Sequence, residues 1–161
     1  MCCWHKNFPT LWTVINIYRM LSLKTWEGAM NDSSTIPGKV LVVDDNPVNR
    51  KIIITILAKR DIDCDVAVNG EAAVEMCGKN RYCIIFMDCI MPVMDGYSAT
   101  KAIRDIDEYR DIPIIAITAD TLPETRGKCI KAGMNDYISK PFNIRTILEM
   151  VDKHLNNSKP G

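Results

Sequence analysis

Three carboxylates and one amine stand out because each closes or follows an apolar run. Asp88 closes Ile84-Ile85-Phe86-Met87, Asp44 and Asp45 follow Val40-Leu41-Val42-Val43, and Lys140 follows a third short run and precedes Pro141. Such runs read as buried strands, and a carboxylate at the tip of a buried strand is unfavourable unless something there uses its charge. At an effective dielectric near 20, two carboxylates about 4 Å apart repel by about 4 kcal/mol. Either one stays protonated or a cation sits between them, and oxygen-only ligands with room for water suit Mg²⁺ or Mn²⁺ rather than zinc. A cation there also neutralises an incoming phosphoryl group, whose transfer is mainly positioning and charge stabilisation. Aspartate is a phosphoryl-accepting nucleophile. Thr118 adds a hydroxyl, Lys140 a mobile positive charge, and the small Ala119 leaves space. An isolated aspartate after a strand is ordinarily a cap or turn residue; four partners at corresponding strand ends argue for chemistry instead.

The elements that must position these residues alternate regularly. Lys39–Val43 reads as a strand; Asn46 and Pro47 then suit the start of a helix running to about 59, with Val48, Ile52, Ile53, Ile56 and Leu57 inward. Residues 64–68 read as a second strand, 70–79 as a helix burying Ala73, Val74 and Cys77, and 83–87 as a third strand. Asp95 suits the cap of a helix from 96 to about 107, with Ala99, Ala102, Ile103 and Ile106 as its stripe. Residues 114–118 form the fourth strand, and Thr121-x-x-Glu124 reads as a capping box for a helix ending at Gly133. A fifth short strand, 136–139, precedes a helix capped by Asn143, with Ile144, Ile147, Leu148, Val151 and Leu155 at helical spacing. Five strand–helix alternations predict a parallel sheet covered on both faces, with ligands bound beyond the carboxyl ends of its strands. Asp44, Asp45, Asp88, Thr118 and Lys140 are all expected at that end.

Composition narrows the function classes. The chain is about one domain long, with an ordinary apolar fraction of 47%. Its 20 basic residues balance its 20 acidic ones, against a general nucleic-acid binder. Seven cysteines with no Cys-x-x-Cys pair, and two histidines far from any cluster, disfavour a zinc site and read as small apolar residues in a reducing compartment. The stretch 8–21 is broken by Asn16 and Arg19, too short to span a bilayer and without a secretory cleavage pattern. The polar cluster at 31–38 reads as a linker. It divides a tryptophan-bearing extension or linker, 1–36, from a domain at 37–157 with a tail at 158–161. Leu11, Val14, Ile15, Tyr18 and Leu21 have helical spacing, but the segment reads as a loose extension.

Four motifs, Val42-Val43-Asp44-Asp45-Asn46, Met87-Asp88-Cys89-Ile90-Met91-Pro92-Val93-Met94-Asp95-Gly96, Ile117-Thr118-Ala119 and Lys140-Pro141-Phe142, resemble the signature of response-regulator receiver domains. The resemblance covers about residues 39–155 and implies an α/β, flavodoxin-like (βα)5 doubly wound sheet with five parallel strands in order 2-1-3-4-5. It further implies that Asp88 takes a phosphoryl group from phosphohistidine. Mg²⁺ is then bound by Asp45, Asp88 and the Ile90 carbonyl, with Asp44 acting through water. Thr118 and Lys140 grip the phosphoryl oxygens, the Lys140–Pro141 bond is cis, and Thr118 and Tyr137 form the switch. Pro47-Val48-Asn49-Arg50 and the segment around Asp88 resemble receivers attached to hybrid histidine kinases and multistep phosphorelays. Ile90 departs from the glutamine common there, and Asp120 is unusual two residues after Thr118. Both flank the route of an attacking water and are expected to alter phosphoryl lifetime.

The expected function is therefore a phosphoacceptor switch rather than an enzyme: a cytoplasmic, soluble single-domain regulator or the receiver part of a hybrid kinase, monomeric or weakly dimeric. The expected partner is a histidine phosphotransfer protein or histidine kinase, docked around the site rim and the first helix through Val48 and Ile52. The competing reading is a metal-dependent phosphatase or phosphotransferase with an aspartyl-phosphate intermediate. That chemistry commonly uses a second aspartate two residues after the nucleophile, where this chain has Ile90. A receiver acting as an unphosphorylated binding module is disfavoured by the complete set of acids, threonine and lysine.

Overall fold

The computed structural model describes residues 38–120 and 122–156. Five parallel strands, β1 (Lys39–Val43), β2 (Cys64–Ala67), β3 (Tyr82–Asp88), β4 (Ile114–Thr118) and β5 (Asp136–Ser139), form one sheet in the order β2-β1-β3-β4-β5. Helices α1 (Pro47–Ala58), α2 (Gly70–Lys79), α3 (Gly96–Arg104), α4 (Pro123–Ala132) and α5 (Ile144–Asn156) connect and cover it. This is the expected flavodoxin-like topology.

Side-chain alternation explains the two layers. On the central strands, Val40, Val42, Ile84, Phe86, Ile115 and Ile117 face one way and pack with Ile53, Ile56 and Leu57 of α1 and Ile147 and Val151 of α5. Leu41, Val43, Ile85, Met87, Ile114 and Ala116 face the other way, against Ala73 and Cys77 of α2, Ala99 and Ile103 of α3 and Cys129 of α4. A strand buried on both faces shows no polar alternation, which is why β1, β3 and β4 read as continuous apolar runs. The edge strands β2 and β5 are only partly buried.

Local capping fixes where each helix begins. The side chains of Asn46, Asn69 and Asp95 accept from the backbone of Val48, Ala72 and Ser98 at 2.9, 2.8 and 2.7 Å, and Asn143 accepts from Thr146 N at 3.0 Å. Gly133, at φ 96, ends α4 in the left-handed conformation that glycine accepts without strain.

Several expectations are corrected. Val48 and Ile52 are 62% and 43% exposed, so they do not point inward. Only Ile53, Ile56 and Leu57 meet the sheet, because a straight helix offers a flat sheet one narrow stripe and these two lie outside it. The helix expected to reach 107 stops at Arg104. A 3₁₀ turn, Asp107–Tyr109, then buries Tyr109, whose hydroxyl donates to Asn80 O at 2.8 Å and accepts from Tyr82 N at 3.2 Å. The second strand ends at Ala67, and the third runs from Tyr82 to Asp88. For α4 the N-cap is Leu122, with no side-chain cap bond; Asp120 supplies acceptors to this turn instead. Thr121, and the helical spacing at 11–21, lie outside the described residues.

Candidate phosphoacceptor site

The parallel topology brings the C-terminal ends of β1, β3, β4 and β5 to one edge. There Asp44 follows β1, Asp88 ends β3, Thr118 ends β4 and Lys140 follows β5. Oxygens of Asp44, Asp45 and Asp88 lie within 4.8 Å of one another, with Asp44 and Asp88 buried and Asp45 exposed. The Lys140 ammonium donates to Asp88 Oδ2 at 2.7 Å and to Asp44 Oδ2 at 2.9 Å. The Lys140–Pro141 peptide bond is cis.

Asp44 is the most heavily coordinated of the acids. Besides Lys140, it accepts from Asn46 N at 2.9 Å and from Asn49 Nδ2 at 3.2 and 3.1 Å. Asp88, by contrast, accepts from Lys140 and, weakly, from Ile90 N at 3.4 Å. Burial pushes its carboxyl above the ordinary aspartate range, and the Asp44 charge adds to this against the opposing pull of Lys140. Burial alone would depress the Lys140 ammonium, but its bonds to Asp88 and Asp44 outweigh that and raise it. Two buried acids thus share one lysine, with the exposed Asp45 beside them, so negative charge exceeds positive charge in the cluster. A divalent cation fits this donor set on chemical grounds: oxygen ligands, one of them exposed, at the mouth of the site.

The backbone around Asp88 has no slack. Gly96 N donates to Cys89 O at 3.1 Å, and a Cβ on Gly96 would fall 2.1 Å from the Asp88 carbonyl oxygen. Ile90 is 72% exposed beside the acceptor. Thr118 is buried, and its hydroxyl donates to Asp120 O at 3.2 Å while accepting from Asp120 N at 3.1 Å. Tyr137 lies on β5 at the surface, with the Arg126 guanidinium 5.8 Å from its ring centre.

All five residues expected at the strand ends are therefore present at that edge. Sequence reasoning did not assign roles to Asn49 or Arg50. Asn49 holds the Asp44 carboxylate, and Arg50 Nη1 donates to the carbonyls of Asp44 and Asp45 at 2.7 and 3.0 Å. Their position in the first turn of a helix that starts just after the acidic pair is the signal that points them back at it. Val48 and Ile52 lie on the exposed side of α1, where with Phe142 and Ile144 they line an apolar groove.

The response regulator receiver domain family matches residues 40–152, and the chain belongs to that family. Its relatives place it among receiver domains of the two-component phosphorelay, as found in hybrid histidine kinases. It is 41% identical over 130 residues to hybrid signal transduction histidine kinase B of Dictyostelium discoideum, covering 73% of this chain and 7% of that protein. It is 36% identical over 149 residues to hybrid signal transduction histidine kinase I of the same organism, covering 87% and 9%. The chain thus spans less than a tenth of the length of these curated relatives. The solved receiver domain of sensor histidine kinase PA1611 from Pseudomonas aeruginosa, described with a magnesium ion in its active-site cleft, matches with a TM-score of 0.70 at 39% identity. That match covers 74% of this chain and 98% of that one. The chemotaxis protein CheY4 of Vibrio cholerae matches at 0.71 and 32% identity, covering 73% and 98%. Among the described residues, no helix is long and apolar enough to cross a membrane.

Proposed function

We propose that the domain at 37–157 accepts a phosphoryl group on Asp88 from a phosphohistidine of a histidine phosphotransfer protein or histidine kinase. The observation that carries this reading is the convergence of Asp44, Asp45, Asp88 and Lys140 at one sheet edge, in a chain of the receiver family. A carboxylate oxygen of Asp88 attacks phosphorus, the P–N bond breaks, and the imidazole takes the bonding pair. Asp45, Asp88 and the Ile90 carbonyl would hold Mg²⁺ (or Mn²⁺), with Asp44 acting through water. The ion would supply charge neutralisation for the phosphoryl oxygens. Lys140 turns from the carboxylates to a phosphoryl oxygen, Thr118 contributes its hydroxyl, and the displacement of Thr118 shifts Tyr137.

The domain is a phosphorylatable switch whose own chemistry is limited to Mg²⁺-dependent self-phosphorylation and autodephosphorylation, cytoplasmic and monomeric or weakly dimeric, acting alone or within a longer hybrid kinase. The first turns of α1, with Val48 and Ile52, receive the partner. A phosphatase reading is not favoured, because the exposed Ile90 stands where a general acid is needed.

Incubation of the full chain with acetyl phosphate tests the acceptor. A Mg²⁺-dependent adduct on Asp88 by mass spectrometry, absent from Asp88→Asn, is expected; its absence in the unaltered protein refutes the proposal. Val48→Glu or Ile52→Glu should impair transfer from the partner while sparing acetyl phosphate, and equal loss in both assays removes the docking assignment. A turnover assay on phosphoesters is expected to show no hydrolysis, and sustained product release would favour the phosphatase reading.

A further inference from the structure

The Thr118 hydroxyl is already engaged before any phosphoryl group arrives. It is bonded in both directions to the backbone of Asp120, as donor to its carbonyl at 3.2 Å and as acceptor from its amide at 3.1 Å. Asp120 is held in its turn from the other side. Its Oδ1 accepts from Leu122 N at 2.9 Å, and its Oδ2 accepts from the Thr125 hydroxyl at 2.6 Å. Thr125 sits in the first turn of α4 and is only 6% exposed. The carboxylate of Asp120 thus faces the helix rather than a water at Asp88, and it joins α4 to the end of β4. The N-cap residue of α4 makes no side-chain bond, and the Thr125–Asp120–Thr118 chain is a polar tie between this helix start and the site.

We propose that Thr125 is a positioning residue of the phosphoryl site. Its hydroxyl fixes Asp120, and through the Asp120 backbone it keeps the Thr118 hydroxyl occupied in the unphosphorylated state. The proposal rests on the reading of Asp88 as the acceptor and adds a restraint that phosphorylation must overcome. Thr118 can give its hydroxyl to a phosphoryl oxygen only by leaving Asp120, and the firmer the turn, the more that exchange opposes binding. Removing the Thr125 hydroxyl therefore shifts the population toward the phosphoryl-bound arrangement. The charge of Asp120 is unchanged by that substitution, so a direct electrostatic effect of the carboxylate is separated from its role in the tie.

Beryllofluoride with Mg²⁺ is the probe, titrated calorimetrically into the full chain. Thr125→Val is expected to bind it about fivefold more tightly, the effect of losing one ordinary hydrogen bond from the unbound state alone. Thr125→Ser, which keeps the hydroxyl, should match the unaltered protein. Amide exchange at Asp120 and Leu122 should accelerate in Thr125→Val and not in Thr125→Ser. Should valine prevent folding at this buried position, Thr125→Ala removes the same hydroxyl without adding volume and carries the same expectation. Unchanged or weaker binding in the hydroxyl-free variants overturns the proposal, as does equal tightening in Thr125→Ser, which would trace the effect to packing. If the unaltered protein binds no beryllofluoride, it is the acceptor reading that fails, and the restraint falls with it.

Discussion

Lys140 Nζ reaches Asp88 Oδ2 across 2.7 Å, tying the residue after β5 to the end of β3, two strands away in the sheet. The same ammonium bridges to Asp44, so one cation offsets the repulsion between the two buried carboxylates. Breaking a buried pair by removing one partner ordinarily destabilises by about 3–5 kcal/mol. Lys140 keeps 22% of its side chain exposed, which places the expected loss for Lys140→Met at the lower end, about 3 kcal/mol in buffer free of divalent ions. Millimolar Mg²⁺ should then raise the urea midpoint of Lys140→Met by more than that of the unaltered protein, because the ion takes over the charge balance the lysine supplied. Equal Mg²⁺ responses in the two proteins would show that the ion does not take over the charge balance of the lysine.

Gly96 is set by close approach rather than by an unusual backbone angle. An added Cβ would meet the Asp88 carbonyl oxygen at 2.1 Å and Met87 Cγ at 3.0 Å. The first of these contacts is backbone and cannot rotate away, so the turn carrying the acceptor must move. Gly96→Ala is expected to destabilise by about 3 kcal/mol and to weaken beryllofluoride binding as well. Gly127, whose added Cβ would meet nothing within 4 Å, serves as the control: Gly127→Ala should be neutral or mildly stabilising. Chemical denaturation of both variants decides the matter.

The sheet and the strand-end acids were legible in the sequence because a parallel strand buried on both faces leaves an unbroken apolar run, and a charge ending that run is conspicuous. The orientation of α1 was less so: Val48, Ile52, Ile53, Ile56 and Leu57 are all apolar, and composition cannot say which of them the sheet takes. Nor could sequence show that Asp120 is captured by Thr125. That contact depends on how the end of β4 meets α4, which no local pattern around residue 120 encodes. Asn49 and Arg50 likewise act on Asp44 through the entry angle of α1, a tertiary property.

Val93 adopts φ 71, left-handed backbone that a β-branched residue occupies only under strain. It is also 78% exposed, so its side chain contributes little burial in return. Val93→Asn should relieve the strain, since asparagine tolerates this conformation, without adding the unfolded-state freedom that glycine brings. The expected gain is about 1 kcal/mol by urea denaturation. Phosphorylation by acetyl phosphate should be unaltered, while transfer from a partner that contacts this rim is the more sensitive measurement. Loss of stability in Val93→Asn would mean that the packing of the valine side chain outweighs its backbone strain.

The alkaline limit of stability should be set by buried thiols and phenols. Burial pushes the Cys77 and Cys83 thiols up to about 11 and that of Cys89 up to about 12, the last reinforced by its neighbour Cys129. Burial also raises the phenols of Tyr82, Tyr97 and Tyr109. These acids keep their protons in the fold at pH values where the unfolded chain has released them. Above the unfolded thiol value of about 9, the native state therefore binds more protons, and stability falls as pH rises. The contribution is intact below about pH 8 and is lost progressively between about pH 9 and pH 12. Urea midpoints measured across that window should decline steeply, and Cys89→Ala should flatten the decline while lowering the plateau through the small void it leaves. A midpoint that stays level to pH 11 would mean that these thiols ionise in the folded protein, and that the packing around Cys89 is looser than its complete burial indicates.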